Sequence, residues 1–186
     1  MSIPVGYRRA PLCVGSLALT ALLAAAPARA QVQVPIHGLT GTIALPDNVD
    51  KFYSGMNTLL VKTSDGIEHV IHVTKGTQVH GGAASLDSLR PGTTVVVHYT
   101  VKGIQTSADE IDRVGSDGLK TNEGTVTSID RVKKRITIKF ANGTSETLRL
   151  TKHAALDSEG HTHSRVIVYY SDESGRKVAH YFKPAG

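Results

Sequence analysis

Apolar and polar residues alternate in short bursts along most of the chain, and the bursts come in two matched sets. Residues 59–75 (LLVKTSDGIEHVIHVTK) and 136–152 (ITIKFANGTSETLRLTK) each place two alternating runs around a turn dipeptide, Asp65-Gly66 and Asn142-Gly143. Alternation with a period of two marks a half-buried strand. Asp-Gly or Asn-Gly between two such runs predicts a hairpin closed by a type I′ turn, which needs positive φ at both central residues. The period also assigns faces. Leu59, Val61, Ile71 and Val73 point to a core, as do Ile136, Ile138, Leu148 and Leu150. Val95, Val97 and Tyr99, with Val166, Val168 and Tyr170, complete that face, while Lys62, His72, Lys139 and Arg149 fall on the other.

The two sets are colinear. Gly41-Thr42-Ile43 and Gly124-Thr125-Val126 lie 83 positions apart, the hairpins 77, and the strands at 95–99 and 166–170 lie 71 apart. Each drop of six is an insertion in the first copy, within 44–58 and 80–94. Turn-rich segments tolerate such insertions, so the pattern reads as a tandem duplication. Residues 85–92 (SLDSLRPG) predict one helical turn closed by a Pro-Gly β-turn. Final strands are expected at 108–114 and 177–182, with 115–122 as a linker. Five short strands per copy and almost no helix favour closure into a small barrel, which removes exposed sheet edges.

Four motifs carry a resemblance: G-T-V-x-x-I-D at 124–130, the D/N-G hairpin, L-x-x-L-x-P-G at 86–92, and V-x-V-x-Y at 95–99. This succession resembles a domain-of-unknown-function family of small β-barrel modules, similar to the OB fold, found in exported bacterial proteins. The second copy lacks the L-x-P-G element, and the first replaces the I-D turn after Gly41 with a longer loop. The resemblance implies an all-β fold of two tandem five-stranded OB-like barrels, residues 31–115 and 116–186. It further implies a periplasmic or secreted, non-enzymatic module, and it carries over no catalytic residue.

The N-terminus agrees with export. Arg8 and Arg9 precede an apolar run at 14–26, and Ala28-Arg29-Ala30 supplies an A-x-A site, so residues 1–30 read as a signal peptide cleaved before Gln31. Thirteen apolar residues are too few for a membrane-spanning helix, so no stable membrane span is expected after cleavage. Beyond residue 30 the chain holds 18 Lys and Arg against 16 Asp and Glu, and no cysteine. Stability therefore rests on burial and hydrogen bonding rather than disulfides. So small a net charge does not point to nucleic acid, whose binding rests on neutralising phosphates.

Charge and histidine supply the candidate chemistry. Residues 31–115 carry 6 basic and 8 acidic side chains, residues 116–186 carry 12 and 8. Much of that surplus is Arg131, Lys133, Lys134 and Arg135, beside Phe140 and Tyr169. An anionic polymer or an envelope protein is the expected partner. All nine histidines lie beyond residue 30, at 37, 69, 72, 80, 98, 153, 161, 163 and 180. His161 and His163 place two imidazoles on one face of an extended segment, a geometry that chelates Cu²⁺, Ni²⁺ or Zn²⁺, with Asp157 or Glu159 as a further ligand. They are the candidate metal ligands of an alternative reading, a periplasmic metal-binding protein using a His-rich loop. His72 and His98 are expected on the outward faces of their strands, where neighbouring strands would let them pair. No G-x-S-x-G, H-E-x-x-H or phosphate-cradling glycine loop occurs. Neither an enzyme nor a cofactor is expected.

Overall fold

The computed structural model describes residues 35–44, 57–82, 84–156 and 161–185. The expected signal peptide and most of the first insertion lie outside the described residues, as do Asp157 and Glu159. Among the described residues the fold is almost entirely strand. In chain order these are β1 (Ile36–Ile43), β2 (Thr58–Lys62), β3 (Glu68–His72), β4 (Gln78–His80), β5 (Thr94–Lys102) and β6 (Gln105–Arg113). There follow β7 (Lys120–Asp130), β8 (Arg135–Phe140), β9 (Ser145–Leu150), the short helix α1 (Lys152–Leu156), β10 (Arg165–Glu173) and β11 (Arg176–Pro184).

The strands make two sheets. The second is a closed five-stranded barrel in the order β10-β11-β9-β8-β7, sealed by parallel pairing of β9 with β11. The first runs β3-β2-β1-β5-β6-β4 and is brought round on itself by a parallel contact of β3 with β6 at His72 and Ser107. The expectation of five strands holds for the second sheet and fails for the first, which has a sixth, β4. The Thr77 hydroxyl donates to the Ala108 carbonyl at 2.7 Å. This ties the chain to β6, and Gln78, Val79 and His80 then pair in parallel with Glu110, Ile111 and Asp112. In the second sheet the segment after the third strand instead coils into α1.

Registers correspond across the sheets. Gly41 faces Val95 and Gly124 faces Val166; Leu59 faces Ile71 and Ile136 faces Leu148; Val97 faces Ile111 and Val168 faces Phe182. A bulge interrupts each long hairpin, at His98/Tyr99 and at Tyr169/Tyr170. Gly41 and Gly124 serve one purpose. A Cβ on either would fall 2.5 Å from Lys62 O or 2.7 Å from Lys139 O, so only glycine permits the close strand crossing.

Each sheet encloses its own core. Leu39, Ile43, Leu59, Val61, Ile71, Val95, Val97 and Ile111 fill the first; Val126, Ile136, Ile138, Leu148, Val166, Val168 and Phe182 fill the second. The faces assigned by alternation are thus the buried ones, except that Tyr99 and Tyr170 are only half-buried beside their cores. Burying a side chain of this size contributes about 1.5–3 kcal/mol. A third apolar layer joins Val96, Leu119, Tyr169 and Tyr181, with Val114 and Ile167 beside them. There the outer faces of β5 and β6 meet those of β10 and β11. The expected linker is correspondingly short: β7 begins at Lys120, and residues 114–119 form a tight turn closed by Leu119 N–H donating to Arg113 O at 2.7 Å.

The turns depart from expectation. At both dipeptides only the glycine has positive φ, 87° at Gly66 and 83° at Gly143. Gly66 N–H donates to Thr63 O and Gly143 N–H to Phe140 O, which makes each a type I turn followed by a left-handed glycine bulge. The side chain before each glycine explains the choice. Asp65 Oδ1 accepts from Thr63 Oγ1 and from Ile67 N–H, and Asn142 Oδ1 accepts from Thr144 N–H and Oγ1. Such Asx bonding stabilises the type I geometry. Among the described residues, the hairpin turn with two positive φ values is Ser174-Gly175, between β10 and β11.

Candidate functional site

Alternation along β5 places Val96 and His98 opposite the core face, where an isolated sheet would leave them in water. Packing of β10–β11 over this face buries them both, at 0% exposure. On β6 the same parity brings Glu110 and Asp112 out on either side of the core residue Ile111. β4 sets His80 directly opposite Asp112, α1 supplies His153, and the second sheet adds Ser171, Glu173 and His180. A cavity of about 240 Å³ is lined here by His80, Asp112, Arg113, Ser171, Glu173 and His180, among others.

The contacts are dense. His80 Nε2 lies 3.6 Å from Glu110 Oε1. His180 Nδ1 lies 3.3 Å from Asp112 Oδ2 and 3.8 Å from Glu110 Oε1. His153 Nδ1 bonds the other Glu110 oxygen. Ser171 Oγ lies 3.0 Å from His180 Nε2 and donates to Glu173 Oε1 at 3.0 Å. His98 stacks obliquely on His153 with ring centres 5.2 Å apart and meets Tyr181 edge-on at 6.0 Å. Neither ring nitrogen of His98 has a hydrogen-bond partner, and neither has Asp112 Oδ1.

Burial and charge divide the protons. Burial pushes the His98 imidazole down to about 4, against the pull of Glu110 and Asp112, so it is neutral. Burial also acts to lower His180, but hydrogen bonds to Asp112 and Glu110 outweigh it and hold this imidazole at about 9. Burial would raise the Glu110 carboxyl; hydrogen bonds from His153 and His180 instead hold it well below the usual carboxylate range. The centre therefore contains an imidazolium flanked by carboxylates.

Two chemistries draw on such a set of groups. Ser171, His180 and Asp112 connect in the order of an acyl-transfer triad. That chemistry needs a neutral imidazole to take the serine proton, whereas His180 is held protonated and Ser171 is engaged by Glu173. The second is metal ligation. One imidazole nitrogen of His80 and one carboxylate oxygen each of Glu110 and Asp112 all lie within 4.8 Å of one another. Ligand atoms 2.0–2.2 Å from a tetrahedral Zn²⁺ stand roughly 3.3–3.6 Å apart, close to the His80–Glu110 separation. The free Asp112 Oδ1 leaves that carboxylate with unused acceptor capacity.

The ligands expected from sequence lie elsewhere. His161 and His163 are exposed on a turn in which His161 N–H and O both bond Ser164 Oγ, and His163 has φ 71°. His72 and His98 do not pair: β3 and β5 are not neighbours in the sheet, and His98 faces inward to His153. The basic run is also divided. Arg131 bonds Ala155 O and lies over the Phe182 ring, and Lys133 pairs with Asp130. Phe140 and Tyr169 are 5% and 7% exposed, so they offer no stacking surface. The site had one sequence signal, the i,i+2 acids Glu110 and Asp112 astride a core isoleucine.

No family model matches the chain, and no curated protein matches it. Among solved structures, the chain is similar to one described as the tetrameric p202 HIN2, with 10% sequence identity over 83% of this chain and 96% of that one. The TM-score is 0.29, too low to carry fold or function across. Among the described residues, no helix is long and apolar enough to cross a membrane.

Proposed function

We propose that the chain is an exported, non-enzymatic binding protein of two tandem OB-like barrels whose ligand is a divalent first-row transition metal held by His80, Glu110 and Asp112. Export rests on the sequence of residues 1–30, and the duplication on the matched registers and bulges of the two sheets. The observation that carries the metal is the convergence of one imidazole and two carboxylates, fixed by in-register pairing of β4 with β6. An imidazole with two carboxylates suits Zn²⁺, Mn²⁺ or Fe²⁺ better than Cu(I), which prefers sulfur. His180 donates to Asp112 and orients it, as partners behind metal ligands do.

The test is calorimetric titration of the purified, EDTA-stripped protein with Zn²⁺. One equivalent per chain is expected, with His80→Ala weakening affinity by more than the roughly 10–100-fold that loss of a supporting partner costs. His80 has a half-exposed side chain, so that variant should keep its fold. His161→Ala combined with His163→Ala should leave the stoichiometry intact. Loss of binding in that double variant, or no saturable binding in the parent, overturns the metal assignment. Covalent labelling of Ser171 by a fluorophosphonate overturns the non-enzymatic part, and an intact N-terminus on the exported protein overturns cleavage.

A further inference from the structure

The outer face of β8 and β9 carries an unbalanced charge pattern that the inter-sheet centre does not involve. Cross-strand pairing sets Arg135 opposite Arg149, Thr137 opposite Thr147, and Lys139 opposite Ser145. Like charges directly opposite on antiparallel strands are destabilising. Neither Arg135 nor Arg149 has a carboxylate partner among the described residues, although Asp130 stands across from Arg135 on β7. That acid is already occupied by the backbone and ammonium of Lys133. Arg149 also neighbours Val178 on β11, which brings Arg176, likewise without a carboxylate partner among the described residues, to the same side. Arg149 and Arg176 line one depression of about 500 Å³, whose other charged residues are already paired, Glu146 and Lys177 with each other and Asp172 with Lys120 outside it.

The corresponding face of the first sheet lacks this pattern. There Thr58 faces His72, Leu60 faces Val70, and Lys62 faces Glu68. The same register is thus built without arginine, so the fold itself does not require guanidinium groups here.

We infer that the β8–β9–β11 face is a binding surface for a carboxylated polysaccharide, with Arg135, Arg149 and Arg176 taking its carboxylates and Thr137 and Thr147 its hydroxyls. Guanidinium groups bind carboxylates through paired hydrogen bonds. Lys139 extends the cationic line about 14 Å along β8 from Arg135, a length that suits a repeating polyanion better than one small anion. The alternating face carries no aromatic side chain, so it lacks the stacking platform on which single-stranded nucleic acid depends. Its one apolar side chain, Val178 beside Arg149, is 7% exposed, so the face offers nothing to enter a bilayer either.

The probe is polygalacturonate, with uncharged dextran, a single-stranded oligonucleotide and vesicles containing anionic lipid as comparisons, all presented to the full protein at low and high salt. Polygalacturonate should bind, weaken as salt rises, and bind on the order of tenfold more weakly to each of Arg135→Gln and Arg149→Gln. His80→Ala should bind it unchanged, which separates this surface from the metal centre. Equal binding of dextran, preference for the oligonucleotide or the vesicles, or unchanged affinity in both arginine variants overturns the inference.

Discussion

The two sheets share strand order and register, yet they differ at the segment after the third strand and on the outer face of the second and third. In the first sheet that segment becomes β4 and places His80 against Asp112; in the second it becomes α1 and places His153 against Glu110. The outer face is nearly neutral and partly apolar in the first sheet, with Val70 52% exposed, and cationic in the second. The shared parts are those that barrel closure demands: inward apolar residues, the two crossing glycines and the bulges. The parts that differ are free of that demand, and both candidate sites occupy them. Within one such pair, equivalence of position separates scaffold from ligand-directed residues without any alignment of homologues.

That division can be broken at the scaffold positions first, where effects should be largest. Phe182→Ala in the second core and Ile111→Ala at the corresponding place in the first should each destabilise by roughly 2–5 kcal/mol. Denaturant unfolding would check this. A single cooperative transition in both variants would mean that the layer of Val96, Tyr169 and Tyr181 couples the sheets. Two transitions would mean that each sheet melts alone with its own core. Gly41→Ala and Gly124→Ala come next. Both force a Cβ against a neighbouring carbonyl, so both should cost about 1–3 kcal/mol. A large effect at one and none at the other would show that the crossings are not equivalent.

The polar centre should appear in the pH dependence of the metal-free protein. His180, facing Asp112 and Glu110 from β6 and Glu173 and Ser171 from β10, is held at about 9 against 6.5 unfolded. The folded state binds the extra proton, so this contribution is complete below pH 6.5 and is lost as pH rises toward 9. Its size is on the order of 3 kcal/mol. His98, facing Glu110, Asp112, His153 and Tyr181, is lowered from 6.5 to about 4. There the unfolded chain binds the proton, so stability is lost as pH falls from 6.5 toward 4. Glu110, lowered from 4.5, adds a loss on further acidification. Thermal melts with EDTA should therefore peak near pH 6.5 and fall on both sides. His180→Gln should flatten the alkaline limb, and an unchanged limb in that variant would remove His180 as its cause. Zinc at 100 times its Kd should raise stability by about 2.7 kcal/mol.

Core and pairing were legible because a period of two leaves a direct mark: each of the eight hairpin residues assigned inward is buried. Turn type was not, since Asp-Gly and Asn-Gly are compatible with two geometries and the Asx hydrogen bonds decided between them. The site escaped a one-dimensional reading for a different reason. His98 has the parity of an exposed residue and is buried only because a second sheet covers it. His80 and His153 belong to short segments with no periodicity, and His180 reaches Asp112 across 68 positions. The histidines at 161 and 163 stand out through spacing alone, while the ligand-like cluster is assembled by strand pairing and inter-sheet packing.

The smallest expected effect separates scaffold from surface function most cleanly. If Arg149 served stability, Arg149→Thr would weaken the barrel. The cross-strand argument gives the opposite sign. Threonine suits a strand, the repulsion with Arg135 disappears, and no carboxylate loses a partner, so the variant should gain about 0.2–1 kcal/mol. The gain should shrink at high salt, because screening already removes the repulsion in the parent protein. Parallel melts at low and high ionic strength would read both signs. A stabilised variant that no longer holds polygalacturonate is the trade between stability and function expected of a binding surface. A destabilised one would place Arg149 with the scaffold and remove the reason for seeking an anion there.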